Sequence, residues 1–289
     1  MEQKKESLIS NKLTRQIRSF SASKENLQKL LQILQERCST AADIELEHFE
    51  QINQTNEAYE KDKKLLKESF QLKVLVAGTD GQQLYGSISE IFDSPNFPDE
   101  LQSILVNSDT TLRSSYNYYP RNSLSLFFDF SKPQVLNFSL LPSQATPNES
   151  NISVAGYDST WVHGVFNEFN TFVNKYPSQF TWIHKHSVYD LLVWIIGLPL
   201  GFWIVYRLSD ILNKLFSNFS VFVQSASYVY VFFATLIGFR LLFHYARWVC
   251  PLVEYCSIKN KALKHRIAFG VISLTIVSTF IYDLVKIIL

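Results

Sequence analysis

The chain has 289 residues, 27 Lys and Arg against 26 Asp and Glu, and a formal net charge of +1 at pH 7. Neither residues 1–72, with 12 basic and 12 acidic side chains, nor residues 73–187, with 6 and 10, are basic enough to indicate a nucleic-acid-binding groove, which needs clustered cations facing phosphates. The three cysteines, Cys38, Cys250 and Cys256, are an odd number with one far from the other two, which argues against a secreted protein held together by disulfides.

Hydrophobicity is unevenly distributed, although the mean hydropathy is +0.01. Residues 1–72 contain 24 charged side chains and no Gly or Pro, whereas residues 188–289 contain 13 charges and long uncharged runs. The sequence therefore predicts a charged helical or coiled-coil region over 1–71, a small α+β cytoplasmic domain over 72–177 and a membrane domain over 188–289. The predicted fold is an α+β domain preceded by long helices and followed by an α-helical transmembrane bundle of three spans.

The first region shows apolar residues at alternating steps of four and three, the spacing of a coiled-coil seam. The positions are Leu13, Ile17, Phe20, Lys24, Leu27, Leu31, Leu34, Cys38 and Ala41. Two interpretations remain open: a long helix that pairs with another copy, or helices that fold back as a hairpin or pack on the middle domain.

The middle region changes to short apolar runs separated by turn residues, which predicts strands. The predicted strands cover 72–77, 103–107, 113–118, 123–130, 135–141 and 152–155. Apolar residues at helical spacing after Asp158 predict a helix on the sheet, with Asp158 or Ser159 as its N-cap. Successive strands without regular helical crossovers favour a small α+β domain.

An internal similarity marks two strand-to-turn junctions, because Val-Ala-Gly-x-Asp occurs at 76–80 and again at 154–158. Each Asp has a local explanation as a cap for the free amides of the next turn. If the two loops lie side by side, they form a binding site for a small ligand. The candidate ligand-binding residues are then Gly78, Asp80, Gly156, Asp158, Trp161 and His163.

Catalytic and metal-binding motifs receive no positive support. The pair His184-Lys-His186 resembles an interface anchor beside Trp182 more than a zinc site, which normally needs four ligands. The sequence has no P-loop, dinucleotide-binding glycine motif, nucleophile elbow or zinc-protease motif. We expect no metal, no cofactor and no catalysis.

Three apolar stretches near 188–208, 217–240 and 267–287 are long enough to cross a bilayer as helices. For the second span, an interfacial helix over 211–225 followed by a span over 227–248 is an alternative. Six cations lie between spans two and three, against two between spans one and two, which places the former loop in the cytoplasm. The polar start of the chain lacks the features of a signal peptide. We therefore expect a plasma or inner membrane protein with a cytoplasmic N-terminus and its C-terminus outside.

Small residues in the spans mark surfaces where membrane helices approach closely. The candidates are Gly197, Gly201, Ala234 and Gly238. Pro199 is expected to kink the first span, because it removes a backbone donor.

Four ionisable residues lie near span ends at matching depths. Asp190 is expected to pair with Arg240 near the inner surface, and Arg207 with Asp283 near the outer surface.

Together these features indicate a non-catalytic sensor, adaptor or membrane effector that forms homo-oligomers in a lipid bilayer. Its middle domain is expected to bind a cytoplasmic protein or small ligand, and no nucleic acid. Two alternatives are a membrane-attached enzyme using Asp80, Asp158, Glu168 or His163, and a subunit of an oligomeric pore.

Overall fold

The computed structural model describes residues 9–51, 54–135, 141–257 and 262–288, which form two compact units. Unit 1 contains the described residues of Met1–Ser131, Asn148–Gln179 and Leu252–Lys259. Unit 2 contains those of Lys132–Pro147, Phe180–Pro251 and Asn260–Leu289.

Unit 1 is built on a six-stranded antiparallel sheet. Its elements in chain order are β1 (Asn11–Gln16), β2 (Phe20–Ala22), α1 (Lys24–Glu47), α2 (Asn56–Ser69), β3 (Lys73–Gly78), β4 (Gln83–Gly86), α3 (Ile88–Phe92), β5 (Leu101–Asn107), α4 (Thr110–Tyr116), β6 (Asn122–Asp129), β7 (Asn151–Gly156) and α5 (Ser159–Lys175). The strand order is β1-β7-β6-β5-β3-β4, and every neighbouring pair is antiparallel.

One face of this sheet is buried by helices, because apolar residues alternate along the strands and those of one phase all point to the same side. The buried positions of β6 are Asn122, Leu124, Leu126 and Phe128. Helices α1 and α5 cover this face with their own apolar stripes. The core is therefore a sheet with helices on one side.

The prediction of long, possibly coiled-coil helices over 1–71 is wrong. Within the described part of this region, strands β1 and β2 come first, and α1 has only 24 residues. The heptad stripe of α1 packs into the core of its own unit, with Leu27, Leu31 and Leu34 at most 1 % exposed. A helix on a sheet and a coiled coil both need one apolar stripe, so the spacing alone does not separate them.

Five predicted strands can be compared with the described residues. Those at 72–77, 103–107, 123–130 and 152–155 are confirmed as β3, β5, β6 and β7. The strand predicted at 113–118 is wrong, since α4 occupies this stretch; Arg113 Nη2 lies 2.7 Å from Asp109 Oδ2. The strand predicted at 135–141 falls mostly on residues 136–140, outside the described residues.

A short strand from the far end of the chain completes unit 1. Strand β8 (Val253–Tyr255) pairs in parallel with β2, so that Phe20 lies opposite Val253. The Phe20 N–H donates to the Leu252 carbonyl at 3.1 Å, and the Cys256 N–H donates to the Ala22 carbonyl at 2.9 Å. Val253 is 1 % exposed, so this strand is part of the core.

Unit 2 contains three helices that are long and apolar enough to cross a membrane: Val188–Leu215, Val221–Val249 and Leu263–Asp283. The three predicted spans are thus confirmed as apolar helices. The first is composed of α6 (Val188–Leu192), a π-helical turn (Val193–Gly197) and α7 (Leu198–Leu215). The others are α8 (Val221–Val249) and α9 (Ala262–Ile288).

The π-helical turn lies directly before Pro199, the second residue of α7. Proline has no N–H and its ring clashes with the carbonyl of the preceding turn, so a locally widened helix relieves the conflict. The kink predicted at Pro199 stays a prediction, and the irregularity that this helix has beside Pro199 is a π turn.

Candidate functional site

The two Gly-x-Asp loops lie at opposite ends of the sheet. Gly78 ends β3 opposite Leu101, whereas Gly156 ends β7 opposite Asn122. Three successive antiparallel pairings separate β3 from β7, so these strands point in opposite directions. The structure does not bring the two loops together.

Both aspartates serve their own turns. The Gln82 N–H donates to Asp80 Oδ1 at 3.0 Å, and the Trp161 N–H donates to Asp158 Oδ1 at 3.0 Å, which caps α5. Trp161 is buried, and its indole N–H donates to the Arg37 carbonyl at 2.9 Å, while His163 is exposed. These hydrogen bonds give Asp80, Asp158 and Trp161 a structural role in their own turns and in the core.

The capping role of Asp158 leads to a prediction. Asp158→Ala should destabilise the protein by about 1 kcal/mol, because the first turn of α5 loses its side-chain acceptor, whereas Asp158→Asn should retain most of the stability. Thermal unfolding of the full chain in detergent measures the difference. Equal effects of the two substitutions, or none from Ala, would contradict the cap.

The sheet face opposite α1 and α5 carries a different candidate site, the open face. One row of paired residues crosses four strands and consists of Tyr85, Leu75, Leu105 and Phe127. Tyr85 is 61 % exposed and the other three are part-exposed. With neighbouring strands about 4.8 Å apart, the row forms an apolar strip about 14 Å long.

Polar side chains surround this strip. On the same phase of the strands lie the neutral residues Thr14, Ser103, Asn107, Ser125 and Ser153 and the charged residues Lys12, Lys73 and Asp129. An apolar centre within a polar rim is the usual composition of a protein–protein contact surface. Sequence reasoning missed this site, since the alternation along each strand shows which residues share a face but not which ones lie opposite each other.

A second candidate, the span-end cluster, lies in unit 2 where α8 ends. It consists of Gln144, Thr146, Ile183, His184, Arg247 and Cys250. His184 belongs to a 3₁₀ turn (Thr181–His184) and is 3 % exposed. From the sequence, His184 was predicted only to be part of an interface anchor.

His184 has both ring nitrogens occupied. Nε2 lies 2.6 Å from the Cys250 carbonyl and Nδ1 lies 2.9 Å from Thr146 Oγ1. A carbonyl only accepts, so Nε2 carries the proton and Nδ1 accepts from the Thr146 hydroxyl. Burial lowers the pKa of His184 from 6.5 to about 4, with the nearby Arg247 charge acting in the same direction. A neutral imidazole thus joins two backbone segments.

Arg247 is the largest fully buried side chain, with 1 % exposure. Its Nε donates to the Ile183 carbonyl at 3.0 Å and its Nη2 donates to the Gln144 carbonyl at 3.1 Å. Among the described residues, no carboxylate lies within 4.0 Å of this guanidinium. Arg247 therefore fastens three segments while its charge has no counter-ion from the described chain.

The predicted helix contacts in the spans can be located individually. Gly197 and Gly201 of the first span face Phe239 and Phe232 of the second, since a Cβ at either glycine would lie 3.2 Å and 2.8 Å from those rings. Gly238 has nothing within 4 Å of its Cβ position. Ala234 is exposed. The glycines of one span thus receive aromatic rings of the other.

Of the predicted ion pairs, Arg207 Nε lies 3.2 Å from Asp283 Oδ2, which also accepts the indole N–H of Trp203 at 2.8 Å. These contacts join α7 to α9. Asp190 Oδ1 accepts the Ser143 hydroxyl at 2.7 Å. Arg240 lies on the same helix as Arg247, two turns earlier.

In the described part of the chain, no group of three or more His, Cys, Asp or Glu side chains is placed to hold a metal ion. Comparison with known proteins finds no matching family model, no similar curated protein and no similar solved structure. The function is therefore inferred from the geometry of the chain itself.

Proposed function

We propose that this protein is a membrane-embedded, non-catalytic adaptor whose unit 1 binds a partner protein through the open face. The membrane part is supported by the three long apolar helices of unit 2. None of the residues in the most apolar 18-residue stretch of the third helix is buried within the protein. An exposed apolar surface of this size is stable in contact with lipid.

The observation that carries the proposal is strand β8. It comes from the connection between the second and third spans, yet it pairs with β2 in the core of unit 1. The sheet and this connection must therefore occupy the same side of the membrane. Partner binding to the sheet is thereby linked through a few residues of chain to the ends of α8 and α9.

The side of the membrane is assigned from charge. The connection between spans two and three and its flanks carry six Lys and Arg, and short basic connections are retained in the cytoplasm. We assign unit 1 to the cytoplasm and the C-terminus to the opposite side of a plasma or inner membrane.

A protein is the partner that fits the open face. The strip is apolar and part-exposed, and its rim offers hydroxyl and amide groups to hydrogen-bond a second surface. A nucleic acid would need clustered cations, whereas the charged residues of this face are two lysines on different strands, Lys12 and Lys73, and the acid Asp129.

Site-specific photocrosslinking tests this function. With benzoylphenylalanine in place of Tyr85, the membrane-bound chain should form a discrete adduct with another protein. The matched position is Tyr119, which is 69 % exposed and lies outside the sheet. Phe127→Ser should abolish the Tyr85 adduct and change the melting temperature little, because Phe127 lies on the uncovered side of β6.

Two differently tagged copies of the chain identify the adduct. If the adduct forms only between the two tagged copies, the open face binds a second copy of this chain, and the proposal of a different partner protein is wrong. Equal adducts from Tyr85 and Tyr119, or an adduct indifferent to Phe127→Ser, would show that the open face is not a specific contact surface.

A further inference from the structure

Unit 1 contains a small cavity, which we call the helix cavity, with a volume of about 180 Å³. Its walls come from the chain after α1, from α2 and from the end of α4. The main lining residues are Phe49, Asp62, Leu65, Leu66, Tyr116 and Tyr118. Drug-sized ligands occupy cavities of about 300–1,000 Å³, so the helix cavity takes a smaller molecule, on the order of ten non-hydrogen atoms.

Contacts outside the helix cavity hold its aromatic walls in place. The Tyr118 hydroxyl donates to the buried Glu45 carboxylate, which also accepts the Arg121 N–H at 2.8 Å. The Tyr59 ring stacks on Phe49 with the ring centroids 5.7 Å apart, and the Tyr59 hydroxyl donates to the Phe49 carbonyl at 2.7 Å. The walls are therefore preformed, and a ligand that binds here has few side chains to order.

The charge of the lining indicates the charge of the ligand. Among the described lining residues, Asp62 alone is charged, and within the described chain no cation lies within 4.0 Å of its carboxylate. The three lysines that follow it in α2 near the cavity pair with other acids: Lys63 with Glu60, Lys64 with Glu68 and Lys67 with Asp43. Asp62 Oδ2 accepts the Gln54 side-chain amide at 3.1 Å, whereas no described residue donates to Oδ1. The cavity thus presents a carboxylate oxygen that can bind a cation.

The remaining lining also favours a cation with an apolar body. Phe49, Tyr116 and Tyr118 supply three aromatic rings, whose faces attract cations, and two leucines of α2 supply apolar surface. The Ser69 hydroxyl, which also lines the cavity, donates to the Leu65 carbonyl at 2.6 Å. Since the Tyr118 hydroxyl is engaged as well, neither group is free to donate to an anion.

We propose that the helix cavity binds a small organic ammonium ion, an amine with a short apolar body. The ammonium group donates to Asp62 Oδ1, and the body lies between the aromatic rings and the leucines. A charged hydrogen bond and contact with aromatic rings both stabilise such an ion. An anion would be repelled by Asp62, and a neutral molecule of the same shape would leave the carboxylate without a counter-charge.

Isothermal titration calorimetry of the full chain in detergent tests the proposal with probes that share one phenyl body. Phenethylamine is the cation, phenethyl alcohol the neutral analogue and hydrocinnamate the anion, and the heat of titration into empty micelles is subtracted. The amine should bind saturably, the alcohol about tenfold more weakly, and the anion not at all. Equal binding of the amine and the alcohol would show simple partition into apolar surface and would overturn the site.

Asp62→Asn keeps the shape of the side chain and removes its charge. The dissociation constant of phenethylamine should rise about tenfold, while that of phenethyl alcohol should stay the same. The matched control is Glu57→Gln, which removes an exposed acid from the first turn of the same helix and does not line the cavity. Unchanged amine binding by Asp62→Asn, or an equal loss in both variants, would contradict a site at Asp62.

Tyr116→Ala covers the case in which Asp62→Asn disturbs α2. Tyr116 is 53 % exposed, so its removal should change the melting temperature little but weaken amine binding several-fold, because one aromatic wall is lost. Tyr119→Ala removes an exposed tyrosine that does not line the cavity and should leave binding unchanged. Wild-type affinity in Tyr116→Ala would exclude the helix cavity. No residue of the apolar strip on the open face lines this cavity, so the adaptor function does not depend on the result.

Discussion

Ser21→Cys is expected to form a disulfide with the native Cys256 when the full chain is mildly oxidised in membranes or detergent. The Ser21 hydroxyl oxygen and the Cys256 sulfur are 3.1 Å apart, although 235 residues separate them in the chain. Closing so long a loop should stabilise the protein by on the order of 5 kcal/mol. The bond is read from a mobility shift that reducing agent reverses, and the gain from thermal unfolding.

Cys38 and Cys256 provide the controls for this experiment. Cys38 is buried, and burial raises the pKa of its thiol to about 12, so it should not compete for Ser21→Cys. Adding Cys256→Ser should abolish the shift. A shift that persists without Cys256, or none with it, would show that β8 does not lie beside β2 in the membrane-bound protein.

Acidification is expected to destabilise unit 2 through His184. Its pKa is about 4 when folded and 6.5 when unfolded, so the unfolded chain binds the extra proton first. The stabilisation is complete above pH 6.5 and is lost as the pH falls towards 4. The difference corresponds to roughly 3 kcal/mol, and melting temperatures measured across this range should show it.

His184→Gln isolates this contribution. The glutamine amide can still donate towards the Cys250 carbonyl but does not titrate. The variant should be somewhat less stable at neutral pH, since it loses the Thr146 contact, and it should lack the part of the acid sensitivity that comes from His184. If wild type and variant lose stability in parallel between pH 6.5 and 4, His184 is not the responsible group.

The membrane helices could be predicted from the sequence because a single property, a long apolar run, determines them. The predicted 188–208 and 267–287 overlap most of Val188–Leu215 and Leu263–Asp283. For the second span, α8 extends from Val221 to Val249 and includes most of both alternatives. The alternative span over 227–248 ends one residue before the end of α8, whereas its start lies six residues after the start of α8.

The N-terminal region could not be predicted from local pattern. Leu13 and Ile17 fit a heptad, yet Leu13 lies opposite Val154 in an edge strand, a pairing made across 141 residues. Tertiary pairing overrides helical spacing here. The sequence feature that indicates a strand here is the alternation of Leu13, Arg15 and Ile17, whose side chains point to the helix-covered side of the sheet.

In the candidate sites too, features that depend on neighbouring residues could be predicted, and features that depend on residues far apart in the chain could not. The capping role of Asp158 could be predicted, because a cap depends only on the next three residues. The row from Tyr85 to Phe127 and the burial of His184 depend on residues far apart in the chain. Sequence similarity between the two Gly-x-Asp loops did not imply proximity, since it reflects two similar strand ends.

Strand β8 also has a consequence for biosynthesis. All strands of the main sheet have been synthesised once residue 156 is made, whereas the partner of β2 is synthesised almost a hundred residues later, after the second span. Until then, backbone groups of Phe20 and Ala22 lack their final partners. Completion of unit 1 must therefore wait for synthesis of the second span, and a chain arrested before it should expose this edge to chaperones or proteases.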